Sequence, residues 1–163
     1  MAVFRHIRSV FTEIFAMLEK ITNSPEETIA FAEEIGRLLK GGDVIAYTGG
    51  LGAGKTTFTR GLALGMGLPD NVTSPTFALV NEYRGDPLTL YHFDMYRIMN
   101  EMSLESTGFF DYMDSDCVIA AEWSENISDY LPENTIYINI ERISDEMRKI
   151  TVKGDERFEN SGN

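Results

Sequence analysis

A chain of 163 residues with 43% hydrophobic and 25% charged residues is long enough to bury one core and too apolar for wholesale disorder. Its formal net charge of −12 argues against unaided RNA or DNA binding, because an acidic surface repels phosphate backbones. One cysteine, Cys117, excludes an internal disulfide and suits a reducing cytosol, and no apolar run reaches membrane-spanning length, so a soluble, cytoplasmic protein without membrane partners is expected.

From the start of the chain, Phe4, Ile7, Phe11, Ile14, Leu18 and Ile21 recur at alternating three- and four-residue steps, which predicts an apolar helical seam over residues 1–21. Arg5 and Arg8 precede any acid, as in organelle-targeting peptides, but Glu13 and Glu19 break the apolar stretch a secretory signal needs. The favoured reading makes Met17 the natural start, residues 1–16 an N-terminal extension, and residues 17–154 one domain. Ser24-Pro25-Glu26-Glu27 then forms a capping box with proline at the first helical position. The helix it opens carries Phe31, Ala32, Ile35, Leu38 and Leu39 on one side and is expected to stop at Gly41-Gly42.

Val44 to Thr48 is a short apolar, β-branched run that reads as a buried strand. It leads into Gly49-Gly50-Leu51-Gly52-Ala53-Gly54-Lys55-Thr56, which fits the phosphate-binding pattern G-x-x-x-x-G-K-[ST]. A triphosphate needs several backbone N–H groups pointing inward at once, and a glycine-rich loop curls tightly enough to present them. Phe58, Leu62, Ala63 and Met66 continue at helical spacing with Gly67 as the C-cap, so a helix N-terminus adds its unpaired amides and dipole. Lys55 would supply charge to the outer phosphates and the Thr56 hydroxyl would face a magnesium ion, which the global negative charge also calls for.

Thr73, Ser74 and Thr76, with Pro75 between them, offer hydroxyls that reach an outer phosphate or simply form a loop entering a strand; spacing alone favours the latter. Residues 77–83 and 88–93 flank Arg84-Gly85-Asp86-Pro87 as a β-hairpin. Asp94 follows the second strand, placed either to reach a ligand at the sheet's carboxyl edge or to cap a helix or pair with Arg97. His92 has no metal companion in sequence and reads as packing or a hydrogen bond. Residues 100–116 give no clean period. Cys117 to Glu122 is an apolar run ending in a carboxylate, either a magnesium- or water-positioning acid or a strand-end ion-pair partner, with Trp123 next. A short helical turn over residues 126–131, two strands over residues 135–142 and 148–153, and a frayed tail over residues 155–163 complete the prediction.

Leu51-Gly52-Ala53-Gly54-Lys55-Thr56-Thr57-Phe58 with Arg60-Gly61, Ser74-Pro75-Thr76-Phe77, His92-Phe93-Asp94-Met95-Tyr96-Arg97 and Glu122-Trp123, in that order, resemble the TsaE (formerly YjeE) family of bacterial P-loop ATPases. The similarity runs from about Leu18 to Gly154 and departs at Gly50, where the family usually has an acid. It implies a three-layer α/β sandwich of the P-loop NTPase type, its mixed, largely parallel sheet extended by antiparallel strands. It also implies ATP and magnesium as cofactors, and slow hydrolysis supporting the complex of TsaD and TsaB that forms threonylcarbamoyladenosine beside the anticodon. Contact with tRNA would be indirect, through that complex. By resemblance, residues Gly49 to Thr57 and Trp123 bind the nucleotide, Lys55 holds its phosphates, Thr56 and Glu122 hold the metal, and Asp94 positions the attacking water. The roles of Asp94 and Glu122 are interchangeable at this level, both being acids at strand ends. A small-molecule kinase and a non-hydrolytic nucleotide sensor share the loop; against the kinase, the candidate lid at residues 99–116 has no arginine or lysine.

Overall fold

The computed structural model describes residues 16–113 and 116–161. Its elements in chain order are β1 (Ala16–Thr22), α1 (Pro25–Gly36), β2 (Val44–Thr48), α2 (Lys55–Gly65), β3 (Val80–Tyr83), β4 (Thr89–Asp94), α3 (Glu101–Glu105), β5 (Cys117–Glu122), β6 (Ile136–Arg142) and β7 (Arg148–Gly154). The strands form one sheet in the order β1-β7-β6-β2-β5-β4-β3. Pairing is parallel from β6 through β2 and β5 to β4, and antiparallel where β7 and β1 extend one edge and β3 the other. The mixed α/β sheet implied by the resemblance is the one observed.

Strands covered on both faces are apolar along their length, and β2 and β5 are until their last residues, Thr48 and Glu122. On one face Ile45, Tyr47, Val118 and Ala120 pack against Phe31 and Ile35 of α1 and Phe58 and Leu62 of α2. On the other, Val44, Phe93, Ile119 and Ala121 meet Leu104, Phe109 and Ile127, contributed by α3 and the short turns around it. The result is three layers. Close approach of α1 and α2 requires Gly61, where a Cβ would stand 2.5 Å from that of Ala32 and 2.4 Å from the Ile29 carbonyl oxygen.

Local caps follow the predicted chemistry. Ser24 accepts the Glu27 N–H at 3.1 Å, and the Glu27 carboxylate reaches back to the Asn23 N–H at 2.8 Å, one residue further than a standard capping box. Helix α2 closes through Gly67 (φ 78°), with the Gly67 N–H donating to Leu64 and the Leu68 N–H to Ala63, a Schellman termination.

Four expectations are corrected. Leu18 and Ile21 lie on β1, not on a helix; the earlier part of the predicted seam, from Phe4 to Ile14, lies outside the described residues. Continuous antiparallel pairing of β1 with β7 satisfies the backbone and overrides the helical spacing. Helix α1 ends at Gly36, before Gly41-Gly42, because the Leu38 and Leu39 N–H groups turn to carbonyls three residues back. Phe77 precedes the hairpin strand and is 98% exposed, in a turn where the Pro75 carbonyl accepts from Ala78 and Leu79. The described part of the expected tail, residues 155–161, is docked: the Phe158 ring is fully buried, and the Arg157 guanidinium grips the buried Asp43 carboxylate at 2.9 and 3.0 Å.

Phe158→Ala is therefore expected to lower the unfolding free energy by about 3–5 kcal/mol in urea titration. A change within about 0.5 kcal/mol would show that the segment is not part of the core.

Candidate functional site

The loop between β2 and α2 follows from its glycines. Gly49, Gly52 and Gly54 have φ of 131°, 72° and 107°, in the left-handed region. At Gly49 space decides as well, since a Cβ would sit 2.4 Å from the Ile140 carbonyl oxygen of the neighbouring strand. The Ala53 N–H closes on Gly50 O at 3.2 Å, and the Phe58 N–H to Gly54 O at 2.9 Å starts the helix. The first amides of α2 thus open onto the carboxyl edge of the sheet, without intrahelical partners. The Lys55 ammonium donates to Gly49 O at 3.0 Å and Gly50 O at 3.2 Å and lies 5.9 Å from the centroid of the Trp123 ring.

Behind the loop, Thr59 Oγ1 donates to Lys55 O at 2.8 Å, so the Tyr47 hydroxyl 2.8 Å away must donate to Thr59. Burial pushes the Tyr47 hydroxyl far above its ordinary pKa, keeping it a neutral donor. This chain ties the first turn of α2 to the centre of the sheet.

Asp94 and Glu122 end adjacent parallel strands and are register partners. Both are buried, at 4% and 7% exposure, and both line one cleft of about 650 Å³ together with residues 51–57 of the loop. Asp94 Oδ1 accepts the Tyr96 N–H at 3.0 Å, while Arg97 donates to Thr76 O at 2.6 Å. The alternative Asp94–Arg97 ion pair is therefore not formed. Glu122 Oε1 lies 2.9 Å from His92 Nε2. His92 is fully buried and its Nδ1 has no hydrogen-bond partner among the described residues, so Nε2 is the ring nitrogen placed to donate to the carboxylate. Of the two readings open for His92, packing or a hydrogen bond, the ring makes the hydrogen bond, and makes it to Glu122.

Trp123 follows Glu122 in the left-handed region (φ 56°), unusual for a bulky residue. That turn sends its ring to the cleft, with centroids 5.0 Å from Tyr96, while Ser124 Oγ anchors the backbone on Tyr47 O at 2.9 Å. Gly49 and Gly50 do not line the cleft; they supply the carbonyls under Lys55.

Ser74 and Thr76 also line the cleft, their hydroxyls 2.7 Å apart, so this loop does reach the site and is more than an entry to β3. Tyr96 and Arg148 complete the wall. Neither was marked by a motif of its own: Tyr96 belonged to a quoted segment without a role, and Arg148 read only as the start of a strand. Among the described residues, no group of three or more His, Cys, Asp and Glu could by itself hold a metal.

The family model for "Threonylcarbamoyl adenosine biosynthesis protein TsaE" matches residues 22–150. This chain belongs to the TsaE family. The tRNA threonylcarbamoyladenosine biosynthesis protein TsaE of Bacillus subtilis is 43% identical over 130 residues, covering 80% of this chain and 81% of the relative. That of Treponema pallidum is 42% identical over 137 residues, covering 81% of this chain and 97% of the relative. A crystal structure of Bacillus subtilis YdiB superposes with a TM-score of 0.70 at 37% identity, over 86% of this chain and 87% of that one. Beyond the phosphate loop, Ser74, Thr76, Asp94, Tyr96, Glu122 and Trp123 of the segments that carried the resemblance meet around the cleft.

His92→Phe, which keeps a ring but removes the donor, is expected to cost about 1–3 kcal/mol in denaturant unfolding by stranding Glu122 Oε1. Combined with Glu122→Gln, the two effects should fail to add, with coupling of at least about 0.5 kcal/mol. Additive behaviour would dissolve the pair.

Proposed function

We propose that this TsaE-family chain binds ATP in the cleft and hydrolyses it slowly, as an accessory ATPase of the TsaD–TsaB complex that forms threonylcarbamoyladenosine in tRNA. The observation that carries the reading is one cleft lined by the P-loop and by two buried carboxylates on adjacent strand ends. Lys55 and the amides of the loop hold the phosphates, and Trp123 lies beside the nucleotide. Thr56 and Glu122 offer hard oxygen donors that suit magnesium, which keeps several waters and needs few protein ligands. Magnesium, when bound, offsets the charge of the phosphate oxygens. His92 orients Glu122 for that work, and Asp94, whose Oδ1 is engaged by the Tyr96 amide, positions the attacking water through its other oxygen.

The partner reading rests on charge and on the relatives' names. With a net charge of −12, the protein acts on another protein in the cytoplasm and leaves tRNA to that complex. Among the described residues no helix is long and apolar enough to cross a membrane.

Lys55→Ala is expected to weaken ATP binding by roughly 1.5–3 kcal/mol in calorimetric titration, the scale of a charge-assisted contact. Unchanged affinity removes Lys55 from the site. Glu122→Gln and Asp94→Asn should bind ATP but slow its single-turnover hydrolysis; wild-type rates in both would end the assignment of catalytic acids. For the pathway, TsaD, TsaB, threonylcarbamoyl donor and tRNA are combined with and without this protein. A higher multiple-turnover yield with it is expected, equal yields count against the role, and phosphate transfer to a metabolite would favour the kinase.

A further inference from the structure

The Arg148 guanidinium makes five hydrogen bonds, all to backbone carbonyls. Nε donates to Ala53 O at 2.6 Å and Nη2 to Gly52 O at 3.4 Å, both in the phosphate loop. Nη1 donates to Ser144 O at 2.9 Å, Asp145 O at 3.2 Å and Met147 O at 2.9 Å, all in the turn between β6 and β7. Among the described residues it forms no ion pair with a carboxylate, and the side chain lines the cleft.

The consequence comes from peptide geometry. In a trans peptide the C=O and the next residue's N–H point in opposite directions. Pinning Ala53 O to Arg148 therefore turns the Gly54 N–H away from the guanidinium, and pinning Gly52 O turns the Ala53 N–H toward its bond with Gly50 O. Lys55 does the same at the other end of the loop, holding Gly49 O and Gly50 O and so orienting the Gly50 and Leu51 amides. Two cations thus hold the carbonyl side of the curl, leaving the amide side for an anion. Lys55 also has the proposed duty toward phosphate, whereas every hydrogen bond of Arg148 goes to the loop or to the β6–β7 turn.

We infer that Arg148 is a positioning residue for the nucleotide site: it anchors the phosphate loop to the β6–β7 turn and presets the orientation of the loop's amides for a nucleoside di- or triphosphate. The assignment rests on the ATP-binding reading for its ligand, while the anchoring itself can be observed without nucleotide. Binding then proceeds without a separate cost of ordering the loop.

The experiment compares wild type, Arg148→Met and Arg148→Lys. Without nucleotide, amide exchange is followed at Ala53 and Phe58, whose N–H groups bond within the loop and its first helical turn. With Mg-ADP and Mg-ATP, affinities are titrated and KM and kcat separated. Arg148→Met should exchange faster at Ala53 and Phe58, bind both nucleotides about tenfold more weakly, and raise KM with kcat within about twofold. Arg148→Lys, with charge but no fork to span two carbonyls and the turn, should recover only part of the loss. Wild-type exchange and affinity in Arg148→Met overturn the inference. So does unchanged affinity with a collapsed kcat, which would place the guanidinium on the reacting phosphate. If Arg148→Met does not fold, Arg148→Lys decides by the same two measurements. Failure of wild type to bind either nucleotide would sink the ATP reading alone, because the exchange comparison still reports on the anchor.

Discussion

Everything at this site depends on the register of parallel strands that end together. In β4 and β5, Asp94 stands opposite Glu122, and His92 stands one inward step behind Asp94 on the same face. That face is the one α1 and α2 cover, because Leu90, Val118 and Ala120 share it at two-residue spacing and pack beneath those helices. The phosphate loop opens α2 on the same side. A slip of one residue would turn both acids and the histidine toward α3 and its neighbours, away from the loop. The apolar runs of β2 and β5 prevent it, since they are buried on both faces and each face has its own complementary packing.

Charge is distributed against the overall sign of the molecule. The chain carries −12, yet the loop region concentrates Lys55 and Arg148, both bonded to carbonyls. A carbonyl orients a cation without cancelling its charge, so both positive groups act on whatever occupies the cleft. The two acids sit across from them, buried enough for their effect to be local. The cleft therefore has basic and acidic side chains in one lining, a combination that suits the metal-bound phosphate proposed for it.

What could be read in the sequence was local. The run Val44 to Thr48, the glycines of the loop and the helical spacing after Lys55 each carry their structure within a few residues, and all three are observed. Asp94 and Glu122 were placed by a general property of parallel sheets, that ligand-facing groups stand at carboxyl ends. The misread segments take their structure from distant partners. Residues Leu18 and Ile21 suit a helix by spacing, but β1 pairs with β7 at the far end of the chain. Residues 155–161 carry no periodic signal; one phenylalanine in the core and one arginine on Asp43 hold them. Arg148 was illegible for the same reason, since its role comes from carbonyls about a hundred positions away, and carbonyls leave no trace in composition.

The buried histidine shows why the site needs more than its motif. A carboxylate at a strand end has rotamers that point along the strand, into the core or into solvent, and a glutamate has more of them than an aspartate. Asp94 is short and is fixed by the amide of Tyr96, two residues on, within its own turn. Glu122 is longer, and its carboxylate is oriented from the neighbouring strand, through His92. That contact, from Nε2 of a fully buried ring, directs the carboxylate from the strand beside it. Only Oε1 is engaged by His92, which leaves Oε2 for the cleft. The same logic governs the loop, where cations hold carbonyls so that amides face outward. In both places a group proposed to meet the ligand is oriented by a partner from another element, Glu122 by His92 and the loop amides by Arg148.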